Sequence, residues 1–241
     1  MYNYKLIIQY DGSNYSGWQI QENAKSVQGT ISEKIKILVK DDVNLIGAGR
    51  TDSGVHALGQ VANFNTKDEI HPFRFQHSLN SILPSDISII DTVEVSHSFH
   101  SRYDAKERTY LYLVSKLKSP FYYRYSIVKD NLDVALLNRL SDVFVGENDY
   151  TSFCKKNTEV RNKKCTINFI RWRETKSLYF FIISADRFLH GMVRTIAGTL
   201  FFAAEQKDGE ELIRDIFNKR NRDAAGEAVP AKGLTLYKIK Y

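Results

Sequence analysis

A glycine-rich loop holds the densest group of chemically useful side chains in this sequence. It reads Gly47-Ala-Gly-Arg-Thr-Asp-Ser-Gly-Val-His56 and follows a short apolar run. Its glycines allow sharp bends or close approach of a ligand to the backbone. A carboxylate (Asp52) and a permanent cation (Arg50) lie in the loop, together with Thr51 and His56. Catalytic groups concentrate in loops held by a rigid sheet, so this loop is a candidate catalytic loop. An ordinary connection between two strands is the alternative interpretation.

The other motifs indicate neither a nucleotide cofactor nor a metal ion. The loop lacks G-x-G-x-x-G and G-x-x-x-x-G-K-[ST], and its carboxylate would repel phosphate. The six histidines form no H-E-x-x-H pair, and the two cysteines, Cys154 and Cys165, form no C-x-x-C pair. We therefore expect no cofactor and no metal, and a packing role for both cysteines.

Two further features are compatible with nucleic-acid chemistry. Aromatic and cationic residues alternate from Phe99 to Tyr112, where tyrosine rings can stack on bases while lysine and arginine meet phosphates. A β-strand with its usual aromatic residues is the alternative. Arg194 lies beside the apolar stripe of a predicted helix, where it either covers the edge of the core or reaches a buried carboxylate.

Composition limits the class of protein. The chain has 241 residues, enough for one large domain or two small ones with a core that needs no disulfide. Its 34 lysines and arginines against 28 acidic residues give a net charge of +6, which permits an anionic partner such as RNA. No apolar run is long enough for a membrane helix, and nothing at the start resembles a signal peptide. We expect a cytoplasmic protein with no membrane partner.

Hydrophobic periodicity predicts approximately the same order of elements in each half: strand, helix, strand, strand, helix. The second half ends with one further helix and a closing strand. In the first half, the predicted strands are 4–10, 43–46 and 56–64 and the predicted helices are 26–38 and 71–83. In the second half, the predicted strands are 108–115, 166–173, 178–184 and 234–240 and the predicted helices are 132–144, 188–204 and 210–219. This order predicts an α+β fold of two ferredoxin-like β-α-β-β-α halves, residues 1–100 and 101–241, sharing a mainly antiparallel sheet.

The loop sequence resembles a known family. Gly49-Arg-Thr-Asp-Ser-Gly-Val-His-Ala57 is similar to the G-R-T-D-x-G-V-H-A signature of the tRNA pseudouridine synthases that modify the anticodon stem-loop. Small departures are Ser53, where alanine is common, and Gly191, where a bulkier polar residue often stands. Four more segments agree in order: Phe99–Tyr110, Gly146–Phe153, Phe188–Arg194 and Gly233–Leu236.

This resemblance implies a reaction, a substrate and an assembly. Members convert uridine to pseudouridine in the anticodon stem-loop of tRNA, at positions 38 to 40. Reactant and product have the same composition and oxidation state, so the reaction needs no cofactor. The resemblance also implies a homodimer.

The resemblance further assigns roles to single residues. Asp52 matches the catalytic aspartate, and Arg194 matches the arginine that keeps this carboxylate charged in a dry pocket. Tyr110 matches the tyrosine that packs on the flipped base and takes part in proton transfer. The substrate-binding positions implied in this way are Arg50, Thr51, His56, Arg108 and Tyr110.

Two other functions are compatible with the same residues. The first is a catalytically inactive RNA-binding module on the same scaffold. The second is a small-molecule lyase or hydrolase that uses Asp52 with His56. The preferred uridine also stays open. So does the covalent route, which is attack on the sugar, attack on the base or formation of a glycal.

Overall fold

The computed structural model describes residues 1–156 and 160–241, which contain ten strands and five α-helices. The strands are β1 (Tyr2–Tyr10), β2 (Ile46–Gly47), β3 (His56–Thr66), β4 (Ile87–Val95), β5 (Glu107–Ser115), β6 (Ile127–Val128), β7 (Gly146–Asp149), β8 (Lys164–Glu174), β9 (Leu178–Ala185) and β10 (Leu234–Lys240). The helices are α1 (Val27–Val39), α2 (Pro72–Ile82), α3 (Val134–Ser141), α4 (Met192–Ala204) and α5 (Gly209–Lys219). The predicted α+β class with mainly antiparallel pairing is confirmed.

The chain divides into two compact units. The first contains Met1–Lys106 and Thr235–Tyr241, and the second contains Glu107–Leu234. In the first unit the strand order is β4-β1-β3-β10, and only the β3–β10 pair is parallel. The short strand β2 pairs with the far end of β3. Strand β3 therefore has a neighbour along both of its edges.

This central position explains the unusual composition of β3. Nine of its eleven residues are buried, including two amides, Gln60 and Asn63. A buried amide is costly unless it is hydrogen-bonded. Nε2 of Gln60 donates to the carbonyl oxygen of Gly49 at 2.8 Å, and Nδ2 of Asn63 donates to Oδ1 of Asn3 at 3.0 Å. These bonds connect β3 to the glycine-rich loop and to β1.

Local signals place both helices of the first unit. The amide of Gly29 donates to Oγ of Ser26 at 3.2 Å, and this N-cap begins α1 close to the start of the predicted helix 26–38. Pro72 begins α2, where its missing N–H has no cost. Strand β4 was not predicted, because a register shift against β1 interrupts the alternation of its apolar residues. The predicted strand 43–46 is reduced to β2.

The second unit is a sheet in the order β5-β9-β8-β7, with β6 parallel to the end of β5. Helices α3 and α4 cover one face, and the ring of Trp172 lies 4.7 Å from that of Phe181 and 5.4 Å from that of Phe201 on that side. Burying one such phenylalanine contributes about 1.5–3 kcal/mol. Helix α4 begins at Met192 and not at the predicted residue 188, because Gly191 has a left-handed conformation.

Candidate active site

The glycine-rich loop, residues 48–55, is held at both ends by β3. The amide of Ala48 donates to the carbonyl of Val61 at 2.8 Å, and the loop ends where β3 begins. Between these points, the amide of Val55 donates to the carbonyl of Asp52 at 3.1 Å and closes a tight turn. The backbone of Asp52 is therefore part of a turn with a defined geometry.

Thr51, the residue before Asp52, is fixed through its side chain and its backbone. Its hydroxyl lies 2.8 Å from the hydroxyl of Tyr10, and its carbonyl accepts the amide N–H of Trp18 at 3.1 Å. Both hydroxyls are buried. Burial raises the pKa of Tyr10, so its hydroxyl keeps its proton and the hydrogen bond persists across the physiological range.

A glycine outside the loop allows the loop to pack closely. Gly17 has φ of +100°, which L side chains rarely adopt, and an added Cβ would lie 2.6 Å from the carbonyl oxygen of Thr51. Only glycine accommodates this backbone conformation and this approach. Residues 51–53 therefore rest directly on the backbone at Gly17.

His56 faces the protein interior at the end of the loop. Its Nδ1 lies 3.1 Å from the amide nitrogen of Gly12 and 3.1 Å from Oδ1 of Asp11, and the side chain is buried. These contacts connect the start of β3 to the segment that follows β1. Asp52 is half-buried and Arg50 is exposed, so these two loop side chains are accessible whereas Thr51 and His56 are not.

In the second unit, Tyr110 lies on the helix-covered face of β5. Its ring stands nearly perpendicular to that of Phe188, at 89° and a centroid distance of 5.2 Å. This edge-to-face geometry is the favourable one for two aromatic rings, and it defines the orientation of the Tyr110 ring. Phe188 was not singled out from the sequence except as the start of a family-like segment.

Arg194 lies in the first turn of α4 and forms a reciprocal pair with Val229. Its Nε donates to the carbonyl of Val229 at 2.7 Å, and its own carbonyl accepts the amide N–H of Val229 at 3.2 Å. Because a guanidinium is a planar fork of five N–H donors, one bond at Nε defines the plane in which the others lie. The tertiary structure therefore holds the Arg194 guanidinium in one orientation. A side chain that only covers the edge of the core would need no such bond.

The segment that holds Arg194, residues 229–233, is itself anchored by Tyr112. The Tyr112 hydroxyl donates to the carbonyl of Pro230 at 2.9 Å, and Gly233 lies against the ring, where an added Cβ would come within 2.6 Å. Burial raises the pKa of Tyr112, and the positive charge of Arg194 opposes this shift. Tyr110 and Tyr112 share one face of β5, since side chains alternate along a strand.

Arg108 was expected to contact substrate. In the structure it is half-buried, and its Nη1 donates to the carbonyl of Asp186 at 2.7 Å, within the second unit. Its register partner on β9 is Ala185.

The expected site residues are thus distributed over both units. Arg50, Thr51, Asp52 and His56 belong to the first, and Arg108, Tyr110 and Arg194 belong to the second. Tyr10 and Gln60, which support the loop, were not among the expected site residues. The available signal was a polar group within each of the predicted strands 4–10 and 56–64. Within the described residues, no three His, Cys, Asp or Glu side chains form a group that would ligate one metal ion, and no helix is long and apolar enough to cross a membrane.

The chain is similar to a family described as tRNA pseudouridine synthase, whose model matches residues 6–104 and 141–241. A tRNA pseudouridine synthase A of Acetivibrio thermocellus is 42% identical over 244 residues, covering 100% of both chains. The enzyme of the same name from Caldicellulosiruptor saccharolyticus is 40% identical over 253 residues, again with 100% of both chains covered. The one from Bacteroides thetaiotaomicron is 38% identical, covering 100% of this chain and 91% of its own.

Proposed function

Because this chain belongs to the tRNA pseudouridine synthase family of isomerases, we propose that it converts uridine to pseudouridine in the anticodon stem-loop of tRNA, at positions 38 to 40. In this reaction the bond between N1 of uracil and the anomeric carbon breaks. The base then turns, and C5 bonds to the same carbon. C5 loses its proton and N1 gains one, so no redox or energy cofactor enters the balance.

Asp52 is the proposed catalytic group. An ionised carboxylate in a glycine-rich loop can attack the sugar or the base, or assist formation of a glycal. The observation that carries the assignment is the set of contacts that hold the backbone around Asp52. They are the turn closed by the amide of Val55, the bonds of Tyr10 and Trp18 to Thr51, and the close contact at Gly17. These bonds position a half-buried carboxylate whose neighbours on both sides are immobilised, which is the arrangement that catalysis by positioning requires.

Tyr110 and Arg194 are the proposed partners of Asp52 in the reaction. Tyr110 would pack on the uracil ring and take part in proton transfer, and its perpendicular contact with Phe188 supports a defined ring orientation. Arg194 would keep the carboxylate charged, since an isolated carboxylate in a dry site tends to take up a proton. Its bond to Val229 supports an oriented guanidinium. The target nucleotide must leave the stack, because the glycosidic bond of a stacked base is inaccessible.

The substrate-binding group changes in this proposal. Arg50 is exposed and remains a candidate to contact phosphate or fill the gap left by the flipped base. Thr51 is buried and bonded to Tyr10, and His56 is buried, accepts the amide N–H of Gly12 and lies beside Asp11. These contacts support a role in holding the loop and not in touching RNA. Arg108 donates to the carbonyl of Asp186 in its own unit, which favours a structural role for this side chain.

A homodimer is also proposed. The face of the second unit's sheet that α3 and α4 leave uncovered carries four half-buried apolar side chains, and we call it the open sheet face: Leu111, Leu113, Phe180 and Ile182. An apolar sheet face is stable only when another layer covers part of it. A second copy of the chain, meeting the first through the same face, is the proposed cover.

The proposal is tested with an unmodified tRNA transcript carrying tritium at C5 of its uridines. The protein should release tritium from this transcript and leave a transcript with cytidine at positions 38 to 40 unchanged. Binding of the transcript should weaken linearly with salt on logarithmic axes. RNA binding without tritium release would indicate the inactive module, and no salt-dependent RNA binding would indicate the small-molecule enzyme.

A further inference from the structure

Exposed aromatic residues are concentrated in one loop of the second unit that the proposed chemistry does not use. This aromatic loop, residues 116–125, reads Lys-Leu-Lys-Ser-Pro-Phe-Tyr-Tyr-Arg-Tyr and joins β5 to β6. Phe121 is 83% exposed and Tyr123 is 55% exposed. A single exposed ring is ordinary on a protein surface, but a group of exposed rings in one loop indicates a binding role.

The aromatic loop is nevertheless well ordered by its own hydrogen bonds. The amide of Tyr122 donates to the carbonyl of Ser119 at 3.3 Å, and the amide of Tyr125 donates to the carbonyl of Tyr122 at 3.0 Å. The hydroxyl of Ser126, which is buried, donates to the same Tyr122 carbonyl at 2.8 Å. Pairing of β5 with β6 holds the two ends together. The exposed rings are therefore presented in a defined arrangement.

Cations accompany the rings. Nε of Arg124 donates to the Tyr123 hydroxyl at 2.8 Å, and its guanidinium lies 5.7 Å from the centre of the Tyr123 ring. Nζ of Lys232 donates to the carbonyl of Tyr123 at 2.9 Å, and Lys118 is exposed in the same loop. The ten residues of the loop contain three cations and no acidic residue. A partner that offers both flat rings and negative charge fits this composition.

The aromatic loop is also connected to Arg194, the proposed partner of Asp52, through one short segment of its own unit. Lys232 belongs to residues 229–233, the segment that bonds to Arg194 through Val229 and to Tyr112 through Pro230. One short segment therefore supports both Arg194 and the aromatic loop.

We propose that the aromatic loop binds an unpaired nucleotide of the RNA substrate outside the target uridine. Phe121 and Tyr123 stack on its base, and Lys118 and Lys232 contact the adjoining phosphates. This inference rests on the proposed function, since it assigns a second contact to the same RNA. A protein partner is the less suitable occupant, because lysine is depleted at the centre of protein–protein contacts whereas rings interleaved with cations are the usual surface for single-stranded nucleic acid.

The test compares three replacements of Phe121, whose exposure makes them harmless to folding. Phe121→Trp keeps a flat ring, Phe121→Leu keeps only the apolar volume, and Phe121→Ala removes both. With a fluorescently labelled, unmodified tRNA transcript, anisotropy should give a Kd raised about 5- to 100-fold for the leucine and alanine variants, as expected for one lost stacking contact. The tryptophan variant should stay within about 3-fold of the unaltered chain. Phe73→Leu, at an exposed phenylalanine on α2, is the matched control.

Two further measurements separate the outcomes. In turnover assays the leucine variant should show a raised KM with kcat retained, and Lys118→Gln should lower the slope of log Kd against log salt by about one. An unchanged Kd for Phe121→Leu overturns the inference. A change in the sedimentation of the RNA-free Phe121→Leu protein also overturns it, because the loop would then be a contact between copies of the chain. The binding measurements decide this even if no pseudouridine forms, so failure of the proposed function is recognised separately.

Discussion

The hydroxyls of Tyr10 and Thr51 lie 2.8 Å apart in the interior of the first unit, one residue before the proposed catalytic Asp52. The two residues are 41 positions apart in the sequence. Tyr10 is the last residue of β1, so this bond attaches the glycine-rich loop to the strand beside β3. The glycine-rich loop is thereby held by a side chain that has no contact with the reacting atoms in the proposed mechanism.

Replacement of Tyr10 by phenylalanine should show whether its hydroxyl positions Asp52 in addition to stabilising the fold. The lost bond should lower the free energy of unfolding by about 1 kcal/mol and turnover by about 10-fold, because the loop loses one constraint on Asp52. The Kd for tRNA should not change. Tyr4→Phe is the matched control, since the buried Tyr4 hydroxyl on the same strand accepts the amide N–H of Ile70 at 2.9 Å. It should cost similar stability and leave kcat unaltered; equal losses of kcat in both variants would contradict the positioning role.

Stability should fall at alkaline pH. Burial raises the pKa of Tyr10, Tyr112 and Tyr150 above the ordinary tyrosine value. The folded chain keeps these protons when the unfolded chain has lost them, so their contribution is complete below about pH 10 and is lost as pH rises above it. Each such tyrosine should steepen the fall by about 1.4 kcal/mol per pH unit. Urea unfolding between pH 8 and 11 measures the slope, which Tyr10→Phe should reduce and Tyr123→Phe, at an exposed ring, should not.

Asp52→Asn should abolish turnover and leave tRNA affinity within about 3-fold. The amide keeps the shape of the side chain but lacks the nucleophilic charge, whereas RNA binding depends mainly on phosphate contacts. Tritium release and anisotropy measure the two effects. Asp68→Asn, at an exposed carboxylate after the other end of β3, is the control and should behave like the unaltered chain. Turnover of the Asp52 variant above about 1% would remove Asp52 from the catalytic role.

Arg194→Lys should not preserve activity. Lysine has no nitrogen at the position of Nε, so the 2.7 Å bond to Val229 and the planar fork are lost together. We expect kcat to fall about 100-fold or more, with an unchanged Kd for tRNA. Arg214→Lys on the exposed face of α5 is the control. Near-normal turnover in the Arg194 variant would reduce this arginine to a residue that covers the core edge.

A charge on the open sheet face should dissociate the proposed dimer. Leu111→Lys places an ammonium group in the centre of that face, where burial against a second copy would desolvate it. Sedimentation velocity should show a dimer for the unaltered chain and a monomer for the variant. Ile37→Lys, at an exposed position on α1, should leave the dimer intact. A monomeric unaltered chain would contradict the proposal directly.

Local sequence determined a large part of this protein. The Ser26 N-cap and Pro72 at the first helical position begin α1 and α2 within one residue of the predicted starts, because a helix start depends on residues within one turn of the chain. The nine-residue motif around Asp52, Gly49–Ala57, resembles the family to which the chain belongs, because a loop motif is contiguous. The α+β class followed from hydrophobic periodicity, which records which faces become buried.

Tertiary structure decided what holds these parts in position. Strand β4 depends on pairing with β1 across a register shift, and its own residues carry no regular alternation. The bonds of Tyr10 to Thr51 and of Arg194 to Val229 join residues 41 and 35 positions apart. His56 was expected from its motif to bind substrate, and in the structure its side chain is buried beside Asp11. Such contacts depend on strand register and packing, which no short window of sequence contains, so only the folded chain distinguishes residues that do chemistry from residues that hold them.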